Sequence, residues 1–154
     1  MRLYLFCLVL TQMSLSTAFT DHFLFSIDFT CQLGREWTVD LTIMEADTWP
    51  LRDDRASHQI VATSTNSTMW FEVQGTLYGD AGWHYEPFLH IYHDCNELYS
   101  FGQTRWVSVA VNRVPIEKEW YHYDCSVDLT NRVAKMEVGC SVSYENWGKT
   151  RQVY

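Results

Sequence analysis

Hydrophobic and polar residues alternate along most of the chain, which is the pattern of β-strands with one buried face. Seven segments show it, and their apolar positions start at Phe23, Trp37, Met69, Leu89, Val107, Tyr121 and Ala134. Residues 58–63 form an eighth, weaker segment. Turn-forming residues separate these segments, and short helices at residues 96–101 or 116–120 are the only alternatives that the pattern leaves open. It therefore predicts an all-β fold, an antiparallel β-sandwich of seven to eight strands.

The first 18 residues have the features of a secretory signal peptide. Arg2 gives a positive start, residues 3–10 are uncharged and apolar, and Ser16 and Ala18 are the small residues of a cleavage site. A membrane anchor would need about 20 apolar residues, and this run ends at Thr11. We therefore predict a signal peptide at residues 1–18, one domain at residues 19–154, and an extracellular protein that is secreted or held at the cell surface.

The charge of the mature chain limits its partners. Without Arg2 it has 10 Lys and Arg against 19 Asp and Glu, a formal charge of −9. Binders of nucleic acid carry a basic patch, so nucleic acid is excluded as a partner. No segment after the signal peptide is apolar enough to span a membrane.

Four cysteines remain once Cys7 leaves with the signal peptide: Cys31, Cys95, Cys125 and Cys140. An even number in a secreted chain predicts two disulfides. A hairpin turn at residues 130–133 would place Cys125 opposite Cys140, which favours that bond together with Cys31–Cys95. The alternative is that Cys125 bonds to Cys95 or Cys31.

Residues 87–96, PFLHIYHDCN, resemble the signature of the nematode transthyretin-like family of small secreted proteins. The signature positions are Leu89, Ile91, Tyr92, His93, Asp94, Cys95 and Asn96. Residues 31–54, the FEVQG of residues 71–75 and Val114-Pro115 extend the similarity along most of the mature chain. The resemblance implies a transthyretin (prealbumin)-like β-sandwich.

The cysteines of the chain depart from the pattern of this family at two places. The family usually has a cysteine shortly before the strand that ends in Ile-Pro, whereas residues 102–105 contain none and Cys125 is extra.

The transthyretin fold also hosts hydroxyisourate hydrolase, which ends in Tyr-Arg-Gly-Ser. This chain ends in KTRQVY, so that activity is not expected.

Two groups of residues resemble reactive sites but are spaced unfavourably. His90 and His93 would point to opposite faces of a strand, as would His122 and Cys125, and oxidised cysteines neither bind metal nor act as nucleophiles. We therefore predict no metal, no cofactor and no catalytic residues.

Surface chemistry offers two further sites. Asn66-Ser67-Thr68 is a sequon for N-glycosylation at Asn66. Several large aromatics alternate against the apolar positions or lie in turns, which is compatible either with a binding interface or with packing beneath a loop: Trp70, Trp83, Tyr85, Trp106, Trp120 and Trp147.

These observations favour a non-enzymatic extracellular recognition or carrier protein of the transthyretin-like family. Its partner would be an extracellular protein, a cell surface or a small hydrophobic ligand, and an oligomer is compatible with the sequence. The alternatives are a secreted hydrolase-type enzyme using His93 or His122, and a protein that bridges to cell-surface lipid. An enzyme needs titratable groups that converge in a pocket, whereas a binder needs an exposed aromatic or apolar patch.

Overall fold

The computed structural model describes residues 20–47, 53–78, 83–95, 105–116, 120–130, 137–146 and 149–153. These residues form strands and their connections, with no helix among them, which confirms the predicted all-β fold. The predicted signal peptide and most of both candidate helical segments lie outside the described residues.

Twelve strands make up the described part of the chain, and three of them have only two residues. They are β1 (Thr20–Thr30), β2 (Trp37–Glu45), β3 (Asp54–Arg55), β4 (Ile60–Ser64), β5 (Thr68–Tyr78), β6 (His84–Tyr85), β7 (Pro87–His93), β8 (Arg105–Ala110), β9 (Val114–Pro115), β10 (Trp120–Asp128), β11 (Glu137–Asn146) and β12 (Lys149–Val153). All eight segments predicted from the alternating pattern contain a strand. The short β3, β6 and β9 and the C-terminal β12 are additional to the prediction, because none of them shows an alternating apolar pattern.

Two sheets enclose the core. Sheet A has the order β12-β11-β10-β1-β5, and sheet B has the order β3-β2-β7-β8. β4 also pairs with β2, at the first residues of β2, whereas β3 pairs with its last two residues. One continuous cluster of buried side chains from both sheets lies between them, so the two sheets form a sandwich. β6 and β9 pair separately.

The pairing of β1 with β10 is parallel, whereas every other described pair is antiparallel. Its register sets Phe23 beside Tyr121 and Phe25 beside Tyr123, and the rings stack with centroids 4.9 and 4.6 Å apart. All four rings are buried. This pair forms the aromatic centre of the core and joins the first strand to one near the end of the chain.

Hydroxyl groups of two tyrosines on β10 hold β9 and the residues that precede it. Tyr121 donates to the carbonyl of Pro115, and Tyr123 donates to the carbonyl of Asn112 at 2.7 Å. Burial, with a smaller contribution from Tyr121, raises the pKa of Tyr123 far above its ordinary value. The phenol therefore keeps its proton and remains a hydrogen-bond donor.

Residues 55–58 cross from sheet B to the edge of sheet A. The amide of Ala56 donates to Ile43 on β2 at 2.9 Å, and the carbonyl of Ala56 accepts from Thr76 on β5 at 2.9 Å. A Cβ at Gly75 would lie 2.9 Å from that carbonyl oxygen, so only glycine allows the approach without displacement. We call residues 55–58 the crossing segment.

The structure contains the two disulfides that the sequence favours. Cys125 and Cys140 are directly paired across β10 and β11, with Cα atoms 4.2 Å apart. Val127 faces Val138 in the same register. Cys31 and Cys95 join the ends of β1 and β7, with Cα atoms 6.0 Å apart, and so link the two sheets. The alternative pairings of Cys125 are therefore not adopted.

Replacing Gly75 by alanine should lower the free energy of unfolding by about 1–3 kcal/mol, because the new methyl group would overlap the backbone of Ala56. Gly139→Ala is the matched control: it lies on a strand of the same sheet, and nothing lies within 4 Å of its Cβ position. Urea unfolding with intact disulfides measures both, and equal stabilities would contradict the close approach.

Replacing Tyr85 by phenylalanine should lower the free energy of unfolding by about 1–3 kcal/mol, because the Tyr85 hydroxyl donates at 2.7 Å to the fully buried carboxyl of Asp21. The other oxygen of Asp21 has no hydrogen-bond partner within the described residues. Tyr144→Phe is the control, since its hydroxyl makes no hydrogen bond in the described part of the chain. A Tyr85→Phe protein as stable as this control in thermal unfolding would show that the bond contributes nothing.

Candidate functional site

The residues of the sequence signature serve mainly to build the sandwich. Leu89, Ile91, His93 and Cys95 are buried. Asp94 fixes the neighbouring strand, since its carboxylate accepts from the amide of Thr38 at 2.7 Å. Asn96 lies outside the described residues. Of the signature, only Tyr92 presents a ring on the outer face of sheet B.

The histidine and cysteine combinations are separated as strand geometry predicts. His93 is buried, whereas His90 is half-buried on the opposite, outer face of β7. Cys95 is bonded to Cys31, and Cys125 to Cys140. Within the described ranges, no group of three or more His, Cys, Asp or Glu is arranged to hold a metal ion.

Four aromatic side chains from β7 and β8 lie together on the outer face of sheet B: Phe88, His90, Tyr92 and Trp106. We call this set the aromatic row. Strand register explains it, because Tyr92 pairs directly with Trp106 and His90 pairs with Ser108. Met44 on β2, opposite Phe88, extends the apolar surface.

The rings of the aromatic row support one another at steep angles. Trp106 meets His90 edge to face, with centroids 4.5 Å apart and planes at 84°. Tyr92 lies 4.4 Å from Trp106 at 46°. Trp106 is nevertheless 58% exposed, so a bulky apolar ring held in place by two neighbours faces solvent. Tryptophan and tyrosine are among the residue types that are enriched in interaction hot spots.

A shallow hollow adjoins the row at Phe88. Its volume is about 380 Å³, and it is lined by residues that include Pro87, Phe88 and Ala110. An ion pair between Arg113 and Glu86, 2.6 Å apart, lies at this hollow. The aromatic row therefore ends in a concavity with an apolar wall and a charged rim.

The remaining large aromatics are distributed differently. Tyr85 is buried, and Trp147 lies outside the described residues. Trp83 is 88% exposed near β6, and Trp120 is 41% exposed on sheet A. Trp70 on β5 is 59% exposed, but it shares the outer face of sheet A with acidic side chains, namely Asp28, Glu72 and Asp124.

Sheet A and the crossing segment form a second concave site, which we call the edge cleft. Its volume is about 410 Å³, and its lining includes His22, Arg55, His58, Gln74 and Trp120. His22 and Trp120 are register partners on β1 and β10, and their rings stack with centroids 4.6 Å apart. The cleft exists because the crossing segment leaves β2 and attaches to β5.

Asn66 lies on the turn between β4 and β5, with its side chain exposed. Its backbone is held in place, because the Trp37 indole donates to its carbonyl at 2.6 Å and its amide donates to Ser64 at 3.0 Å. A sequon on such a turn is accessible to the enzyme that attaches glycan.

Sequence reasoning identified Trp106 and Trp120 as candidate interface residues but missed most of their neighbours. Phe88 and His90 could have been found from the outward phase of β7, on which they alternate with the apolar positions. Arg55 and His58 carry no such signal, because the crossing segment has no regular period.

No helix of the described residues is long and apolar enough to cross a membrane. Comparison of the chain with protein-family models, with curated proteins and with solved structures finds no match to any of them.

Proposed function

We propose that this protein is a secreted, non-enzymatic recognition module that binds an extracellular protein through the aromatic row. Its family would be the transthyretin-like family, a proposal supported by the signature at residues 87–96 and by a two-sheet sandwich. The observation that carries the functional proposal is the exposure of Trp106 within a group of mutually supporting rings.

The angles between the rings favour a protein partner. Trp106 is inclined at 84° to His90 and at 46° to Tyr92, so the rings form an uneven surface instead of one flat platform. Inclined rings leave gaps that fit side chains of a partner. Tryptophan and tyrosine are also enriched among residues that dominate protein interfaces.

The placement of the candidate catalytic residues supports a binding role over an enzymatic one. His93 is buried and Cys125 is held in a disulfide, so neither is available to a substrate. His122 lies on the outer face of sheet A beside Leu24 and Ser143 in the register, and it is not among the residues that line the cavity beside Trp120.

Secretion and glycosylation complete the proposal. Two disulfides are compatible with an oxidising extracellular location. The signal-peptide pattern at residues 1–18 and the exposed sequon at Asn66 support passage through the secretory pathway.

The intact mass of protein secreted from eukaryotic cells should correspond to a chain that begins near Phe19 and carries one N-linked glycan. Glycosidase treatment should remove the added mass, and Asn66→Gln should abolish it. Secreted protein that still begins at Met1, or a mass unchanged by glycosidase, would contradict this prediction.

Trp106→Ala should weaken binding to the partner by about 2 kcal/mol, which is roughly 30-fold, because it removes the central ring of the aromatic row. Immobilised glycosylated protein is incubated with extracellular fluid of the source organism, and the bound proteins are quantified. Trp70→Ala is the matched control, since Trp70 is 59% exposed against 58% for Trp106 and lies on the other sheet.

Wild type and Trp70→Ala should retain the same protein, and Trp106→Ala should lose it. Equal retention by both variants would contradict the proposed surface. Sedimentation velocity of the isolated protein tests the other occupant: a dimer that disappears in Trp106→Ala would show that the row pairs two copies of this chain instead.

A further inference from the structure

We propose that the edge cleft is a binding site for a small organic anion, namely a carboxylate carried on a flat ring. This inference does not depend on the aromatic row, which lies on the outer face of the other sheet. The volume of the edge cleft, about 410 Å³, is within the range of small-molecule sites and is too small for a folded partner.

The walls of the cleft supply donors for a carboxylate. Arg55 uses its Nε to donate to the carbonyl of Ser57 at 2.9 Å, which orients the guanidinium within its own segment. Its terminal nitrogens keep four N–H donors in the planar arrangement that matches a carboxylate. The amide of Gln74 and the imidazoles of His22 and His58 add further polar atoms.

The Ser57 hydroxyl also lines the cleft, but it is already used by the fold. It accepts from the amide of Ile43 at 2.9 Å and donates to the carbonyl of His58 at 3.0 Å. It therefore holds the crossing segment in place and leaves ligand recognition to the neighbouring side chains.

The described lining of the cleft differs in charge from the chain as a whole. The formal net charge is −8, yet none of the described residues that line this cleft is acidic. Acidic residues occupy neighbouring positions of the sheet, since Glu145 on β11 is the register partner of Trp120 and Glu72 on β5 lies two residues from Gln74. Among the described lining residues, Arg55 carries the full positive charge with which a carboxylate would pair.

The flat-ring part of the proposal comes from the His22–Trp120 pair. Their planes differ by only 16°, so two rings lie nearly parallel in the wall of the cleft. Trp120 remains 41% exposed despite this stack, which leaves aromatic surface for a ligand. Aromatic pairs gain energy from offset stacking, so a ring attached to the carboxylate would pack here.

The probe for this site is 2-naphthoate, with neutral 2-naphthamide of the same shape as the first comparison. Nuclear magnetic resonance titration gives both the affinity and the location. The naphthoate should shift the indole N–H signal of Trp120 and leave that of Trp106 unchanged. The naphthamide should bind at least tenfold more weakly, because it lacks the charge that Arg55 recognises.

Arg55→Gln should weaken naphthoate binding about tenfold, since it removes the guanidinium and retains a polar side chain. Arg113→Gln is the matched control: this arginine is exposed and lies at the hollow near Phe88. Trp120→Ala should also weaken binding, and Trp70→Ala should not. Thermal unfolding of each variant verifies that its sandwich is intact.

Four outcomes would overturn the proposal: no binding at millimolar naphthoate, equal affinity for the naphthamide, unchanged binding by folded Arg55→Gln, or signal shifts at Trp106 instead of Trp120. Loss of partner binding in Trp106→Ala with naphthoate binding retained would show two separate sites. The failure of one site therefore remains distinguishable from the failure of the other.

Discussion

The parallel pairing of β1 with β10 is the interaction on which the rest of the structure depends. Stacking of Phe23 on Tyr121 and of Phe25 on Tyr123 places four buried rings at the centre of the core. Because the two strands come from opposite ends of the chain, this contact must form across the whole domain. β5 pairs with the other edge of β1 and β11 with the other edge of β10, so this contact joins the two halves of sheet A. Parallel strands need a long connection, and here that connection includes all of sheet B.

The two faces of each strand separate the residues that build the core from the residues that face outward. On β7, one phase buries Leu89, Ile91 and His93, while the other presents Phe88 and His90 to solvent. The residues of the sequence signature at positions 87–96 are therefore mainly residues that build the core. The candidate binding residues occupy the outward-facing positions of the strands. Side chains at these positions do not pack in the core, so core packing does not restrict their size or polarity.

Both candidate sites lie where a regular sheet borders residues outside its main strands. The aromatic row lies on β7 and the edge strand β8, and it ends at a hollow beside Phe88. The edge cleft depends on the crossing segment, which is fastened to β2 through Ile43 and to β5 through Thr76. Gly75 permits that second contact, so a residue without a side chain shapes a site to which it contributes no chemistry.

The sequence alone determined the all-β architecture and the positions of the main strands, and it favoured the two disulfides that the structure contains without excluding the other pairings. Alternation reports which face of a strand is buried, and a hairpin register places Cys125 opposite Cys140 from local spacing. Only the tertiary structure decided that β1 and β10 run parallel, that the crossing segment bridges the two sheets, and that Arg55 lines the same cleft as His22 and Trp120. Alternation carries no information about strand direction or neighbours, because each strand has the same period whichever strand pairs with it. The contacts between residues distant in the chain therefore had to come from the packed molecule.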